Sequence, residues 1–141
     1  MKANNEDLAA ENAVLEKLSA QERVAWACDR FGEGLVLSTS FGLQSSVMLH
    51  LVLQANDQTP IVFVDTGYLF PETYEYARTL GQKLGFKEKT YSAMTSSAYQ
   101  EASHGKLWEQ GKEGMAKYNF LNKKEPMDRA LRELGATAWL A

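Results

Sequence analysis

The sequence predicts an α/β fold, a mostly parallel sheet with helices on both faces, open at the edge where the chain ends. Three observations carry that expectation. Two apolar runs, Leu35-Val36-Leu37 and Ile61-Val62-Phe63-Val64, read as strands. Between them, Val47 to Leu53 has helical spacing, so strand, helix and strand alternate and the second strand should lie parallel to the first through a right-handed crossover. The segment joining the first strand to that helix, Ser38-Thr39-Ser40-Phe41-Gly42-Leu43-Gln44-Ser45-Ser46, is small and rich in hydroxyls.

Before this unit, Leu8, Glu11, Leu15 and Leu18 fall at helical spacing. Ser19-Ala20-Gln21-Glu22 reads as a capping box for a second helix, with Val24, Ala27, Cys28 and Phe31 as its apolar stripe and Gly32 and Gly34 as its stop. Residues 1–34 thus form a helical extension. In the central helix, Val47, Met48, Leu51, Val52 and Ala55 make one face. Leu49 and Leu53 make the other side apolar too, and His50 reads as a structural residue. Asn56 to Pro60 turns the chain back into the Ile61 strand, which ends in Asp65-Thr66-Gly67. Pro71-Glu72-Thr73 opens a further helix whose inner face is Tyr74, Ala77, Leu80 and Leu84, stopped by Gly85.

Phe86 to Tyr91 is expected as a third strand, and Ser97-Ala98-Tyr99-Gln100 as the cap of a short helix ending near Gly105. Lys106 to Phe120, with glycines 105, 111 and 114 among Trp108, Tyr118 and Phe120, reads as a long, partly ordered segment over the ligand end. Pro126 opens a last helix with Met127, Ala130, Leu131 and Leu134 inside, and Asp128–Arg132 and Arg129–Glu133 as surface pairs. Thr137 to Ala141 is a final strand.

Strand, tight turn and helix is the physical recipe for an anion site. The turn exposes backbone N–H groups and hydroxyls, and the helix N-terminus adds partial positive charge. Gly42 is expected to allow a special backbone conformation or a close ligand approach. The turn is neither a Walker loop nor a dinucleotide fingerprint, and its serines could serve simply to cap the helix. Asp65-Thr66-Gly67 sits at a strand's carboxyl end, where open α/β sheets collect ligands, and Asp65 could equally be a strand-end cap. Lys112, Lys117, Lys123, Lys124, Arg129 and Arg132 concentrate cations near the last helix, against Glu113, Glu125, Asp128 and Glu133.

At 141 residues the chain fits one domain, 1–141. A net charge of −3 argues against nucleic acid or an anionic membrane as partner, so any anionic ligand needs a local basic patch. One cysteine, Cys28, excludes an internal disulfide and any multi-cysteine metal site; on an apolar stripe it reads as a small buried hydrophobe. The first seven residues hold no apolar signal core, and a cytoplasmic location is the default.

Four motifs in order carry a resemblance: Ser-Phe-Gly-Leu-Gln-Ser-Ser from Ser40, Val-Asp-Thr-Gly-Tyr-Leu-Phe-Pro-Glu-Thr from Val64, Gly-Lys-Leu-Trp-Glu from Gly105, and Lys-Lys-Glu-Pro-Met-Asp-Arg-Ala-Leu from Lys123. From about Leu15 to the last residue, the chain resembles the phosphoadenosine phosphosulfate (PAPS) reductases of sulfate assimilation and cysteine biosynthesis. The resemblance implies an adenine nucleotide alpha-hydrolase-like (PP-loop) fold and thioredoxin-dependent reduction of PAPS to sulfite and adenosine 3′,5′-bisphosphate. It implies a phosphosulfate cradle at Ser38, Ser40, Phe41, Gly42, Gln44 and Ser45. It also implies an adenosine pocket edged by Leu37, Val64, Asp65, Thr66 and Gly67, and Lys123 facing the anion.

Where the wider superfamily's ATP pyrophosphatases carry Ser-Gly-Gly-x-Asp-Ser, Phe41 and Gln44 replace the first glycine and the aspartate. Without a carboxylate to help hold Mg²⁺, an ATP-splitting adenylyltransferase is disfavoured. A non-catalytic nucleotide-binding module is the other alternative. Tyr118 and Asn119 stand where cluster-bearing relatives have paired cysteines, and one thiol cannot hold an iron–sulfur cluster, so none is expected. The resemblance implies a nucleophilic cysteine in a Glu-Cys-Gly-Leu-His-like tail, which would fall beyond Ala141. The expectation is therefore a fold truncated on its C-terminal side, with no catalytic residue among these 141. Thioredoxin or glutaredoxin as reductant, and homodimerisation, are further implications of the resemblance.

Overall fold

The computed structural model describes residues 5–141, with side chains from Leu8 onward. The first four residues of the predicted extension lie outside that range. Seven helices and four strands are described: α1 (Asn5–Leu15), α2 (Ala20–Phe31), β1 (Leu35–Thr39), α3 (Ser45–Ala55), β2 (Ile61–Asp65), α4 (Pro71–Leu84), β3 (Lys89–Ser92), α5 (Ser97–His104), α6 (Gly111–Asn119), α7 (Glu125–Glu133) and β4 (Ala138–Leu140). The strands form one sheet in the order β3-β2-β1-β4, with every pairing parallel. The predicted fold class is therefore the observed one.

Alternation along the strands sorts the core into two layers. Leu35 and Leu37 of β1 and Ile61 and Phe63 of β2 pack with Val24, Ala27 and Cys28 of α2, Leu49 and Val52 of α3, and Ala77 and Leu80 of α4. The opposite face of β2, from Val62, packs on Met127 and Ala130 of α7. The Ser19 capping box forms as read, with Ser19 N donating to Glu22 Oε2 at 2.8 Å.

Several expectations give way to packing. In α3 the buried positions are Leu49 and Val52, while Val47 is 61% exposed and Ala55 is also exposed. Apolar residues all round the helix left its inner face undetermined, and the sheet selected it. Tyr74 of the expected α4 inner face is only partly covered, 37% exposed. β3 begins at Lys89 rather than Phe86, because Phe86 turns inward against the core before the chain reaches register with Val62. The cap of α5 is Ser96, whose hydroxyl accepts from Tyr99 N at 3.2 Å, one residue earlier than read.

The largest correction is the segment from Lys106 to Phe120, which is ordered helix. A 3₁₀ turn (Leu107–Glu109) leads into α6, a π turn (Phe120–Lys124) follows, and α7 continues it. Gly114 is a packing residue here: a Cβ on it would lie 2.2 Å from the Leu107 carbonyl oxygen. The π turn has a cause in Pro126, which lacks an N–H and crowds the carbonyl four residues back, that of Asn122. The Glu125 N–H instead reaches Phe120 O, five residues back, so the helix widens and runs on rather than restarting at Pro126. The surface pairs of α7 differ accordingly. Lys124 pairs with Asp128 and Arg129 with Glu125, in place of the Asp128–Arg132 and Arg129–Glu133 pairs.

The rotated α3 makes a direct prediction. Leu49→Ala should lower unfolding free energy by about 2–5 kcal/mol, whereas Val47→Ala should change it by less than about 0.5 kcal/mol. Urea denaturation of both variants measures this, and equal losses would contradict the observed face.

Candidate functional site

The strand order sets the place. From β1 the chain steps through β2 to β3 on one side, then returns to put β4 on the other side of β1. The connections therefore diverge at the carboxyl end of β1, and a crevice opens where strand order reverses. Two open clefts meet there, sharing Ser38, Thr39, Ser40 and Ala141. One, of about 620 Å³, runs along the turn and the start of α3 past Leu37, Gly42, Gln44, Ser45 and Met48. The other, of about 790 Å³, lies between the sheet end and the π turn, against Val64, Thr66, Asn119, Lys123, Met127 and Trp139.

The turn is built by local bonds. Phe41 N donates to Thr39 Oγ1 at 3.1 Å, and Ser45 Oγ donates to Gly42 O at 2.6 Å. The strained residue is Phe41, at φ 54°, a left-handed conformation that an aromatic residue adopts only when its surroundings hold it. They do so through its ring, 5% exposed and edge-on to Phe63 with centroids 5.0 Å apart. Gly42 therefore does not supply the special backbone conformation; a Cβ there would meet only Ser40 Oγ, at 3.8 Å. Its backbone lies open beside the first cleft.

Of the predicted site residues, Leu37, Ser38, Ser40, Gly42, Gln44 and Ser45 line the first cleft, and Ser38, Ser40, Val64, Thr66 and Lys123 line the second. Phe41, Asp65 and Gly67 line neither. Phe41 is a core anchor. Asp65 accepts from Gly67 N at 2.8 Å and from the Tyr74 hydroxyl at 2.7 Å, which makes it the strand-end cap. Burial of the Tyr74 ring, then its bond to Asp65 and that carboxylate's charge, push the Tyr74 hydroxyl up to about 12. Cys28 is buried on α2, where desolvation raises its thiol pKa, as its apolar stripe implied.

The electrostatics single out Lys123. Asp128 neutralises Lys124, while Lys123 pairs with no carboxylate among the described residues and lies 6.0 Å from the centre of the Tyr118 ring. Tyr118 belongs to an aromatic cluster with Tyr68 and Trp108, each ring within 6.2 Å of the others.

Two contributors escaped the sequence reading. Trp139 of β4 donates from Nε1 to Ser38 Oγ at 2.8 Å, tying the edge strand to the cradle. Only the β1–β4 register, Val36 opposite Trp139, brings them together. Asn119 shares the cleft wall with Lys123 and Met127 at spacings of four. That signal was present in the sequence, hidden by treating the segment as irregular.

Comparison with known proteins agrees with this geometry. The family described as "Phosphoadenosine phosphosulfate reductase domain" matches residues 34–141. A phosphoadenosine 5′-phosphosulfate reductase from Salmonella newport is 57% identical over 134 residues, covering 95% of this chain and 55% of that protein. One from Klebsiella pneumoniae is 55% identical over the same coverage. The crystal structure of a phosphoadenylyl-sulfate reductase from Candida auris, a phosphate complex, superposes with a TM-score of 0.84 at 31% identity. It covers 99% of this chain and 68% of that one. The chain spans about half the length of the curated relatives it matches. With a switch-point cradle, a family match over residues 34–141 and relatives above half identity, this chain belongs to the phosphoadenosine phosphosulfate reductase family.

Proposed function

We propose that this chain is the substrate-binding portion of a thioredoxin-dependent PAPS reductase. The whole enzyme would reduce 3′-phosphoadenylyl sulfate to sulfite and adenosine 3′,5′-bisphosphate in the cytoplasm, as a step of sulfate assimilation. The observation that carries this reading is the crevice at the end of β1. There Ser38, Ser40, Gly42, Gln44 and Ser45 line one cleft, and Lys123 lines the adjoining one. Hydroxyls, backbone N–H groups and a helix start suit phosphosulfate oxygens, and a lysine with no carboxylate partner among the described residues suits a further phosphate. The Candida auris relative was solved as a phosphate complex, which supports an anion-binding reading. Val64, Leu69 and Met127 give the second cleft the apolar wall an adenosine needs.

Gln44 brings no charge for Mg²⁺, so ATP cleavage is not expected of this cradle. With Cys28 the sole thiol in the sequence, and buried, no iron–sulfur cluster is proposed. The chemistry proposed for the whole enzyme is attack of a cysteine thiolate on the sulfur. Adenosine 3′,5′-bisphosphate leaves, and the resulting S-sulfonate is released as sulfite by thiol exchange with thioredoxin or glutaredoxin.

Three measurements test this. Lys123→Ala should weaken adenosine 3′,5′-bisphosphate binding by about 1.5–3 kcal/mol in calorimetry, with a smaller loss at high salt; unchanged affinity would return Lys123 to the solvated surface. The purified protein should be colourless, and stoichiometric iron or sulfide in it would overturn the cluster-free assignment. A polypeptide of these 141 residues should bind the bisphosphate yet release no sulfite from PAPS and reduced thioredoxin. Sulfite release abolished by Cys28→Ser, with the fold intact, would instead make Cys28 the nucleophile.

A further inference from the structure

The most buried polar side chain of the cleft's supporting wall belongs to Asn122, 0% exposed, in the middle of the π turn. It faces the side chain of Gln100, 3% exposed, on α5. The two amides exchange hydrogen bonds: Gln100 Nε2 donates to Asn122 Oδ1 at 2.9 Å, and Asn122 Nδ2 donates to Gln100 Oε1 at 3.0 Å. The remaining donors are used as well, Gln100 Nε2 on Thr95 O at 3.1 Å and Asn122 Nδ2 on Tyr118 O at 3.2 Å. Each amide thus has one satisfied geometry, and rotating either one breaks bonds at both ends.

The pair sits where helix rotation is decided. Gly114, Tyr118, Asn122, Pro126 and Ala130, each four residues from the next, are all buried or half-buried. An α-helical face drifts by about 40° with every four residues, so a stripe this long would spiral out of the core. The π turn adds one residue to a turn and takes back about 100° of that drift. A widened turn is loosely specified by backbone alone, and the Gln100–Asn122 pair pins it from outside the helix. Lys123 is the next residue, and it faces the cleft.

We propose that Gln100 and Asn122 are positioning residues. By locking the rotation of the π turn, the buried amide pair aims Lys123 into the cleft. The inference deepens the nucleotide-site reading above and rests on it.

A double-mutant cycle in adenosine 3′,5′-bisphosphate binding tests it, using Asn122→Ala, Gln100→Met, Lys123→Ala and their combinations. Gln100→Met acts from α5 without altering the helix that carries Lys123, and so covers the case in which Asn122→Ala fails to fold. Each change at the pair should weaken binding by about tenfold, and should cost almost nothing further once Lys123 is alanine. Hydrogen exchange, read without ligand, should show faster exchange across residues 120–124 in both pair variants. Folded variants that bind like the wild type, or losses that simply multiply with that of Lys123→Ala, would overturn the positioning role. Failure of the wild-type protein to bind the bisphosphate would overturn the nucleotide-site reading, and this inference with it.

Discussion

Everything the molecule offers a ligand depends on the burial of β1. Its apolar residues Leu35, Val36 and Leu37 are 1% exposed or less, and the strand is hydrogen-bonded on both edges, to β2 and to β4. A strand enclosed on two faces and two edges can open only at its ends. At its carboxyl end the next residues must leave the sheet, and they do so as a hydroxyl-rich turn that feeds α3. The turn is the unavoidable exit of a buried strand, furnished with hydroxyls and open backbone of the kind that suits an anion.

Holding that exit open takes strain at one residue and packing at several. Phe41 adopts a left-handed backbone, and its ring is locked by Phe63, which in turn lies edge-on to Tyr74. Tyr74 holds Asp65, and Asp65 caps the loop after β2. One chain of contacts thus couples the turn after β1 to the turn after β2. Phe41 and Asp65 serve the site from behind, through shape, while Ser38, Ser40 and Gln44 stand at its surface. Neither Phe41 nor Asp65 lines a cleft; their contacts tie the two turns together behind it.

The opposite wall follows a different logic. Its helix is continuous from Gly111 to Glu133 only because the segment absorbs a proline by widening at Phe120–Lys124. Gly114 lets the same helix press on the Leu107 carbonyl. Read along the chain, Gly and Pro signal breaks. In three dimensions, the glycine is a point of close approach and the proline the cause of a bulge. That is why residues 106–120 looked irregular, and why the four-residue spacing of Asn119, Lys123 and Met127 did not stand out as one face.

Local pattern was enough for the sequence to determine the βαβ alternation, the hydroxyl-rich turn at a strand's end, the capping box at Ser19, the burial of Cys28 and, through four ordered motifs, the family. These are properties of neighbours in the chain, and spacing and residue chemistry express them directly. The tertiary structure alone decided which side of α3 is buried, which of the two turns' residues reach a cleft, and that Trp139 meets Ser38 across a hundred residues. Apolar residues on every side of α3 give periodicity nothing to choose between. The partner of Ser38 is set by β4 docking beside β1, and strand order is a global outcome of packing that no local stretch of the chain encodes.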